Sequence, residues 1–212
     1  MSENAGGRPT LYTVGHSNHE LPAFVALLTR SGVTAIADVR SQPYSRFTEQ
    51  FNRETLAEAL KRAGIQYVFM GKELGARRTE RDSYRDNRAR YDLIAKLPAF
   101  REGLERVRQG MLNFKVALMC AEKDPITCHR TILVCRNLRA LPIEIRHILE
   151  DGTMESTEQA ETRLLKEVGL PEQHLFHDRS ELVEQAYDKQ GERIAFLEAE
   201  GPGSNTDGSV PP

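Results

Sequence analysis

Residues 114–120 read Phe-Lys-Val-Ala-Leu-Met-Cys, a short apolar run that is bounded by polar sequence on both sides. Similar runs occur at four other places: LYTV (11–14), VTAIADV (33–39), IQYVFM (65–70) and IEIRHIL (143–149). Amphipathic segments with helical spacing separate these runs, which is typical of buried parallel strands joined by right-handed helical crossovers. The pattern predicts an α/β fold with an open, mostly parallel, Rossmann-like sheet flanked by helices.

The length of 212 residues favours one domain with appendages over two domains. We expect a flexible N-terminus (residues 1–9), an α/β domain (10–150), a helical extension packed on that domain (151–198) and a disordered tail (199–212). In the extension, Ser156 is placed to cap a helix and Gly169 to end it.

The composition, with 39% hydrophobic and 28% charged residues, is ordinary for a soluble globular protein. No apolar run approaches the roughly 18 residues of a membrane span, and the first residues lack the regions of a signal peptide. Three cysteines close together do not resemble a secreted disulfide framework. We therefore expect a cytoplasmic protein with reduced thiols and no membrane partner.

The charge is distributed unevenly along the chain. Residues 1–149 carry 24 lysines and arginines against 16 acidic residues, whereas residues 150–212 carry 5 against 15. A basic first part suggests an anionic partner, either a small anionic substrate or a nucleic acid. A solvated surface of mixed charge explains the counts equally well, and the oligomeric state stays open.

Polar residues follow each predicted strand, and in an open parallel sheet ligands bind beyond the carboxyl ends of the strands. The candidate residues at these ends are Gly15, His16 and Ser17; Asp38, Arg40 and Ser41; the segment 71–78 with Gly75 and Arg77; and the segment 120–130. Pro22 would break a helix that began at Ser17, so residues 15–17 are predicted to be a loop at a strand end. His16 is either a pocket residue or a core histidine, and Asp38 and Arg40 either pair with each other or bind a ligand.

Residues 72–90 form a basic segment with 7 basic and 4 acidic side chains. This segment faces a phosphate or polyanion in one interpretation and is simply solvated in the other. The chain contains neither a GxGxxG nor a GxxxxGK[ST] motif, so dinucleotide and nucleoside triphosphate cofactors have no support, and no cofactor is assigned.

The segment 119–130, MCAEKDPITCHR, contains two of the three cysteines. Asp124 and Pro125 predict a helix start, which would place Cys128 in the first turn, where unpaired N–H groups favour a thiolate. Cys120 lies at a strand end, and Cys135 is expected to be a core residue.

Three chemistries compete for this segment. A phosphate-binding Cys-x5-Arg loop is excluded, because the sixth residues after the two cysteines are Ile126 and Val134. A zinc site would need a fourth ligand such as His16 beside Cys120, Cys128 and His129, and the spacing matches no familiar pattern, so no metal is assigned. A nucleophile or anion site would use either thiolate with help from His129, Arg130 or Glu122. Simple packing of thiols, with Arg130 paired to an acid such as Asp38, is the remaining interpretation.

Four motifs, TVGHS, AIADVRSQPYSRFTEQFN, GIQYVFMGKELGARR and LMCAEKDPITCHR, occur in this order over roughly residues 10–150. In this order they resemble the domain of unknown function 488 family. The resemblance implies a cytoplasmic α/β domain, in some members with a C-terminal extension, and no settled activity. The chain departs from the family pattern at Ala76, where a second glycine is usual. The residues that the resemblance points to are Gly15, His16, Ser17, Asp38, Arg40, Pro43, Ser45, Leu74, Gly75, Arg77, Cys120, Glu122, Cys128, His129 and Arg130.

The leading hypothesis is an enzyme that acts on a small anionic or nucleotide-like substrate in a pocket at the strand ends. The predicted catalytic residues are Cys128, His129, His16, Cys120 and Asp38; the predicted substrate-binding residues are Gly15, Ser17, Arg40, Ser41, Gly75, Arg77, Glu122 and Arg130. The alternatives are a nucleic-acid-binding module that uses residues 72–90 and a protein whose polar cluster is only structural. Arg130 is expected to contact a carboxylate, foremost that of Asp38, or a bound anion.

Overall fold

The computed structural model describes residues 8–198, with a six-stranded sheet at the centre. The strand order is β3-β2-β6-β1-β7-β8, and all neighbouring strands are parallel except β7 and β8. The strands are β1 (Thr10–Gly15), β2 (Ala35–Asp38), β3 (Gln66–Phe69), β6 (Val116–Cys120), β7 (Glu144–Ile148) and β8 (Met154–Ser156). Two further strands, β4 (Tyr84–Arg85) and β5 (Arg88–Ala89), form a separate small hairpin.

Helices cover both faces of the sheet. They are α1 (Leu21–Arg30), α2 (Arg53–Arg62), α3 (Gly71–Leu74), α4 (Tyr91–Ile94), α5 (Pro98–Gly110), α6 (Arg136–Leu138), α7 (Thr157–Glu167) and α8 (Arg179–Ile194). Short 3-10 turns occur at Glu49–Phe51, Arg81–Ser83 and Pro125–Thr127, and a π-helical segment at Arg130–Cys135 precedes α6.

The core lies in two layers, one on each face of the sheet. Side chains alternate between the layers along β6: Leu118 and Cys120 pack with α5, α7 and α8, whereas Ala117 and Met119 pack with α1 and α2. A strand whose side chains are buried in both layers has a continuous apolar sequence. For this reason the apolar runs predicted these strands.

The predicted α/β fold with a mostly parallel sheet flanked by helices is confirmed. Helix α1 begins at Leu21, with Pro22 in its first turn, and His16 and Ser17 lie in a loop as predicted, whereas Gly15 is the last residue of β1. Ser156 caps α7 in a capping box with Gln159. The region 151–198 adds a strand, β8, to the predicted helices.

The predicted N-terminal segment, apart from residues 8 and 9, and the predicted tail lie outside the described residues. Within residues 8–198, no helix combines the length and the apolar character that crossing a membrane requires.

Candidate functional site

Four side chains meet where β6 ends: Cys120, Glu122, Cys128 and His129. One sulfur, oxygen or nitrogen atom from each lies within 4.8 Å of those of the other three. The Cys128 sulfur is 3.1 Å from a Glu122 carboxylate oxygen, and His129 Nδ1 is 3.5 Å from the Cys120 sulfur and 3.9 Å from the Cys128 sulfur. Two thiols, an imidazole and a carboxylate are donor types that hold zinc in proteins. We call these four residues the thiol cluster.

The turn at Pro125–Thr127 brings Cys128 back to the strand end. The Asp124 side chain caps this turn by accepting a hydrogen bond from the Ile126 N–H, at 3.1 Å, as the sequence predicted. The turn is 3-10 rather than the start of an α-helix, so Cys128 has extended backbone angles (φ −127°, ψ 140°) instead of lying in a first helical turn. Its sulfur accepts the Arg130 N–H at 3.4 Å, so Cys128 still lies at the amino end of the helical segment that follows.

Backbone contacts fix the orientation of His129. Its Nε2 lies 3.0 Å from the carbonyl oxygen of Val39, so Nε2 carries a proton and donates it to that oxygen. Nδ1 is therefore the nitrogen that faces the two sulfurs. This arrangement, in which one ring nitrogen donates to a carbonyl and the other faces the reactive groups, is the one that metal-binding histidines use.

Arg130 is fully buried behind the thiol cluster. Its guanidinium donates to the backbone carbonyls of Glu122 and Lys123 and to the Thr13 hydroxyl. The predicted contact with a carboxylate of Asp38 is wrong, because Asp38 pairs with another arginine on the opposite face of the sheet. Within residues 8–198 Arg130 forms no ion pair, and it places an uncompensated positive charge beside the two sulfurs.

The surroundings shift the pKa values within the thiol cluster in opposite directions. Burial raises the pKa of Cys120 well above its usual value, and the neighbouring Cys128 sulfur adds to that effect. Burial opposes ionisation of Cys128 too, but contact with Cys120 and the charge of Arg130 bring its pKa well below the usual value. Burial lowers the pKa of His129, but its contact with Cys128 outweighs this and raises it overall. Glu122 is exposed as a residue, but partial burial of its carboxyl group raises its pKa, and Cys128 acts in the same direction.

A second polar group occupies the same edge of the sheet on its other face. Asp38 is aligned with Met119 of β6, so its side chain points to the α1 and α2 face. Arg40 binds both carboxylate oxygens of Asp38, at 2.9 and 2.7 Å, and donates to His16 Nε2, at 3.2 Å. Tyr67 donates to the same carboxylate at 2.7 Å. Asp38 and Arg40 thus form the internal pair that the sequence left as one alternative.

His16 is held as a neutral imidazole. Its Nε2 accepts from Arg40, so Nδ1 donates to the Ser17 carbonyl at 2.8 Å. The ring stacks on Phe51 with a centroid separation of 4.2 Å. Burial, with the charge of Arg40, lowers the pKa of His16 to about 4.

A cavity of about 290 Å³ opens over the thiol cluster. Cys120, Glu122 and His129 line its floor, whereas Cys128 is 1% exposed and lies behind them. Arg77 lines the wall, is exposed and forms no ion pair within the described part of the chain, and its guanidinium lies 4.5 Å from the centre of the Phe196 ring.

The predicted site residues all lie at or beside the carboxyl edge of the sheet. Some of them lie on one face of the sheet and some on the other. Those that line the cavity are Arg40, Ser41, Arg77, Cys120, Glu122 and His129. Ser41 accepts the Arg77 N–H at 2.9 Å, and Gly75 leaves room for that serine, since a Cβ on Gly75 would lie 2.4 Å from its hydroxyl oxygen. Ser17, Asp38, His16 and Arg130 support the site from outside the cavity.

Sequence reasoning missed the residues that reach the cavity from distant parts of the chain. Tyr91 comes from α4, and Ile194 and Phe196 come from the end of α8 and the segment after it. Neither segment carries a motif, so only the tertiary structure reveals them. Glu122, which was expected to bind substrate or to assist a thiolate, lies 3.1 Å from the Cys128 sulfur.

Residues 20–136 match the family model described as Domain of unknown function DUF488. Neither the curated proteins nor the solved structures contain a match to the chain.

Proposed function

We propose that this chain, which belongs to the family described as Domain of unknown function DUF488, is a cytoplasmic enzyme that acts on a small anionic substrate. The observation that carries the proposal is the cavity: reactive groups line its floor, and an arginine without an acidic partner among the described residues lines its wall. A concave pocket with a few convergent polar groups and shifted pKa values is the usual form of an active site.

Arg77 is the group best placed to bind the anion. Arg40 also reaches the cavity, but Asp38 neutralises its charge with two hydrogen bonds. A guanidinium that no carboxylate occupies can offer two parallel N–H donors to a phosphate or carboxylate group. The cavity is at the small end of the usual range for ligand pockets, which favours a small substrate over a dinucleotide.

The floor of the cavity supplies the reacting groups in this proposal. The Cys120 sulfur, the Glu122 carboxylate and the His129 imidazole face the bound substrate, and Cys128 acts from behind them as part of the same unit. His16 and Asp38 are positioning residues, since they hold Arg40 and do not line the cavity.

The structure gives less support to a nucleic-acid-binding module. Most arginines of residues 72–90 are engaged within the protein. Arg78, Arg81 and Arg90 form ion pairs, and Arg85 and Arg88 donate to backbone carbonyls. Arginines held in this way are less available to the phosphates of a nucleic-acid backbone.

A binding screen with inorganic phosphate, a sugar phosphate, a nucleoside monophosphate and a dicarboxylate tests the proposal by calorimetry. We expect at least one of these anions to bind, and R77Q to weaken that binding about 10- to 100-fold, the range for losing a charged hydrogen bond. R101Q is the matched control, because Arg101 is an exposed arginine on α5 outside the cavity.

Turnover is then followed by mass spectrometry with the anion that binds. Conversion by the wild type and none by C120A is the expected result. If no anion binds, or if R77Q and R101Q bind it equally well, the proposed function is wrong.

A further inference from the structure

We infer that the thiol cluster is a binding site for one thiophilic divalent cation, foremost Zn²⁺, with Cys120, Glu122, Cys128 and His129 as its four ligands. This inference concerns the metal and does not depend on which substrate the cavity accepts. It departs from the interpretation of the sequence, which assigned no metal and named His16 as a candidate fourth ligand.

The sulfur–nitrogen separations within the cluster are close to those of a tetrahedral metal centre. Zinc bonds of about 2.3 Å to sulfur and about 2.0 Å to nitrogen, at tetrahedral angles, place a sulfur and a nitrogen ligand roughly 3.5 Å apart. His129 Nδ1 lies 3.5 Å from the Cys120 sulfur and 3.9 Å from the Cys128 sulfur. The four donor atoms lie within 4.8 Å of one another, so side-chain movements on the ångström scale would bring them around one ion.

The donor set identifies the kind of metal. Two sulfurs and an imidazole favour zinc and its thiophilic neighbours, whereas magnesium and calcium require sites built from oxygen. His16 is not a ligand, because its Nε2 accepts from Arg40 and its ring stacks on Phe51. Glu122 takes the fourth position instead, with a carboxylate oxygen 3.1 Å from the Cys128 sulfur.

The groups around the ligands support a metal as well. Val39 accepts the Nε2 proton of His129, which leaves Nδ1 free to coordinate, and the Arg130 N–H donates to the Cys128 sulfur. Two thiolates and a carboxylate carry one more negative charge than a divalent cation supplies. The buried guanidinium of Arg130 provides the matching positive charge, which explains its burial without a carboxylate partner among residues 8–198.

The ligands differ in their access to solvent. Cys120 and Cys128 are 3% and 1% exposed, whereas Glu122 is exposed and lines the cavity. The Glu122 side of the metal would thus face the cavity. Glu122 is therefore the ligand that a molecule in the cavity could replace most easily. With four protein ligands the site has the composition of a closed structural centre, and displacement of Glu122 would open the one position that catalytic centres keep free.

Cobalt(II) titration of the full chain tests the inference. The protein is first stripped with a chelator and kept reduced without oxygen. We expect one cobalt per chain, a sulfur-to-cobalt charge-transfer band in the near ultraviolet, and loss of the band when Zn²⁺ displaces the cobalt.

Four variants locate the site. C120S and C128S should each weaken cobalt binding by more than the roughly 10- to 100-fold typical for loss of an outer-shell partner, and each should reduce the charge-transfer band. C135S is the matched control, since Cys135 is equally buried but is not part of the cluster. E122Q should weaken binding while keeping the band, and because Glu122 is exposed, this variant remains informative even if a cysteine variant fails to fold.

The inference is wrong if the wild type shows no charge-transfer band with excess cobalt, if C128S and E122Q bind cobalt as the wild type does, or if C135S alone removes the band. R77Q separates this result from the proposed function. It should weaken anion binding and keep cobalt binding, so either proposal can fail without the other.

Discussion

Gly15 allows β1 to approach the loop that carries Glu122. A Cβ at this position would lie 1.9 Å from the carbonyl oxygen of Glu122, closer than any real contact. The clash involves backbone on both sides, so a larger residue must displace the loop and with it one side of the thiol cluster.

We therefore expect G15A to lower the free energy of unfolding by about 1 to 3 kcal/mol, the usual cost of overpacking. Cobalt binding should weaken at the same time, because Glu122 moves. Urea unfolding and cobalt titration measure the two effects. G110A is the control, since a Cβ there would be 3.6 Å from the nearest side-chain atom. Wild-type stability and wild-type cobalt affinity in G15A would contradict the importance of this contact.

Individual contacts were predictable from the sequence only where two side chains recognise each other. The alternation of Asp38 and Arg40 suggested the ion pair that the structure contains. Arg130 could not be placed in the same way, because its partners are backbone carbonyls and a threonine hydroxyl. A backbone carbonyl cannot be recognised from residue types, so the sequence favoured a carboxylate partner, and none occurs among residues 8–198.

The turn at Pro125–Thr127 is the element that joins the site to the rest of the fold. Asp124 caps the turn, and Arg163 of α7 binds the same carboxylate at 2.9 Å. Arg163 also binds Glu155 of β8 at 2.6 Å. The position of Cys128 thus depends on the helix and strand that follow β7.

A comparison of two helix caps tests this dependence. D124A and S156A each remove a capping oxygen, so each should cost about 1 kcal/mol of stability, and D124A should cost more because it also removes the ion pair with Arg163. Only D124A should also weaken cobalt binding, because only Asp124 holds the turn before Cys128. Chemical denaturation and cobalt titration of both variants give the answer. An equal cobalt affinity in the two variants would show that the turn does not position Cys128.

Elements of regular period were predictable, and irregular ones were not. Apolar runs located the five parallel strands, and Pro22 set the limit for the start of α1. The segment Arg130–Cys135 is π-helical, and Cys128 before it is extended, where the sequence predicted one continuous helix from Asp124. Apolar residues at helical spacing do not distinguish an α-helix from a π-helical segment, so the sequence could not predict this geometry.

The stability of the molecule should depend on pH through His147. This residue is fully buried in β7, and its Nδ1 lies 2.9 Å from the Thr13 hydroxyl. Burial, with the charge of Arg130, lowers the pKa of His147 to about 3. Between the ordinary value of about 6.5 and this lower value, the unfolded chain binds a proton that the folded chain does not.

Stability should consequently fall as the pH decreases below about 6.5, with His147 contributing a loss of about 2 kcal/mol by pH 5. His16, whose pKa lies at about 4, adds a loss of the same sign. Urea unfolding at pH 7 and pH 5 measures the total. H147Q removes one titrating group, so its stability should change less over this interval. An identical change in H147Q and in the wild type would exclude His147 as the source.

The architecture was predictable as a whole, whereas the cavity was not. Parallel strands place their carboxyl ends on one edge, so the sequence indicated which loops would meet there. In the folded protein these loops lie on two faces of the sheet. Residues from a distant part of the chain complete the wall of the cavity. The family match ends at Arg136, whereas Ile194 and Phe196 form part of that wall. The matched region thus carries the reactive groups, and a later region shapes the entrance.

That wall has a consequence for the order of events during synthesis. A ribosome completes Cys120, Cys128 and His129 well before it adds Ile194 and Phe196. The nascent chain therefore acquires its two thiols while the space above them is still open to the surrounding medium. We therefore expect metal ions and oxidants to reach these sulfurs more easily before α8 folds than afterwards, because the segment that ends in Ile194 and Phe196 completes the cavity wall.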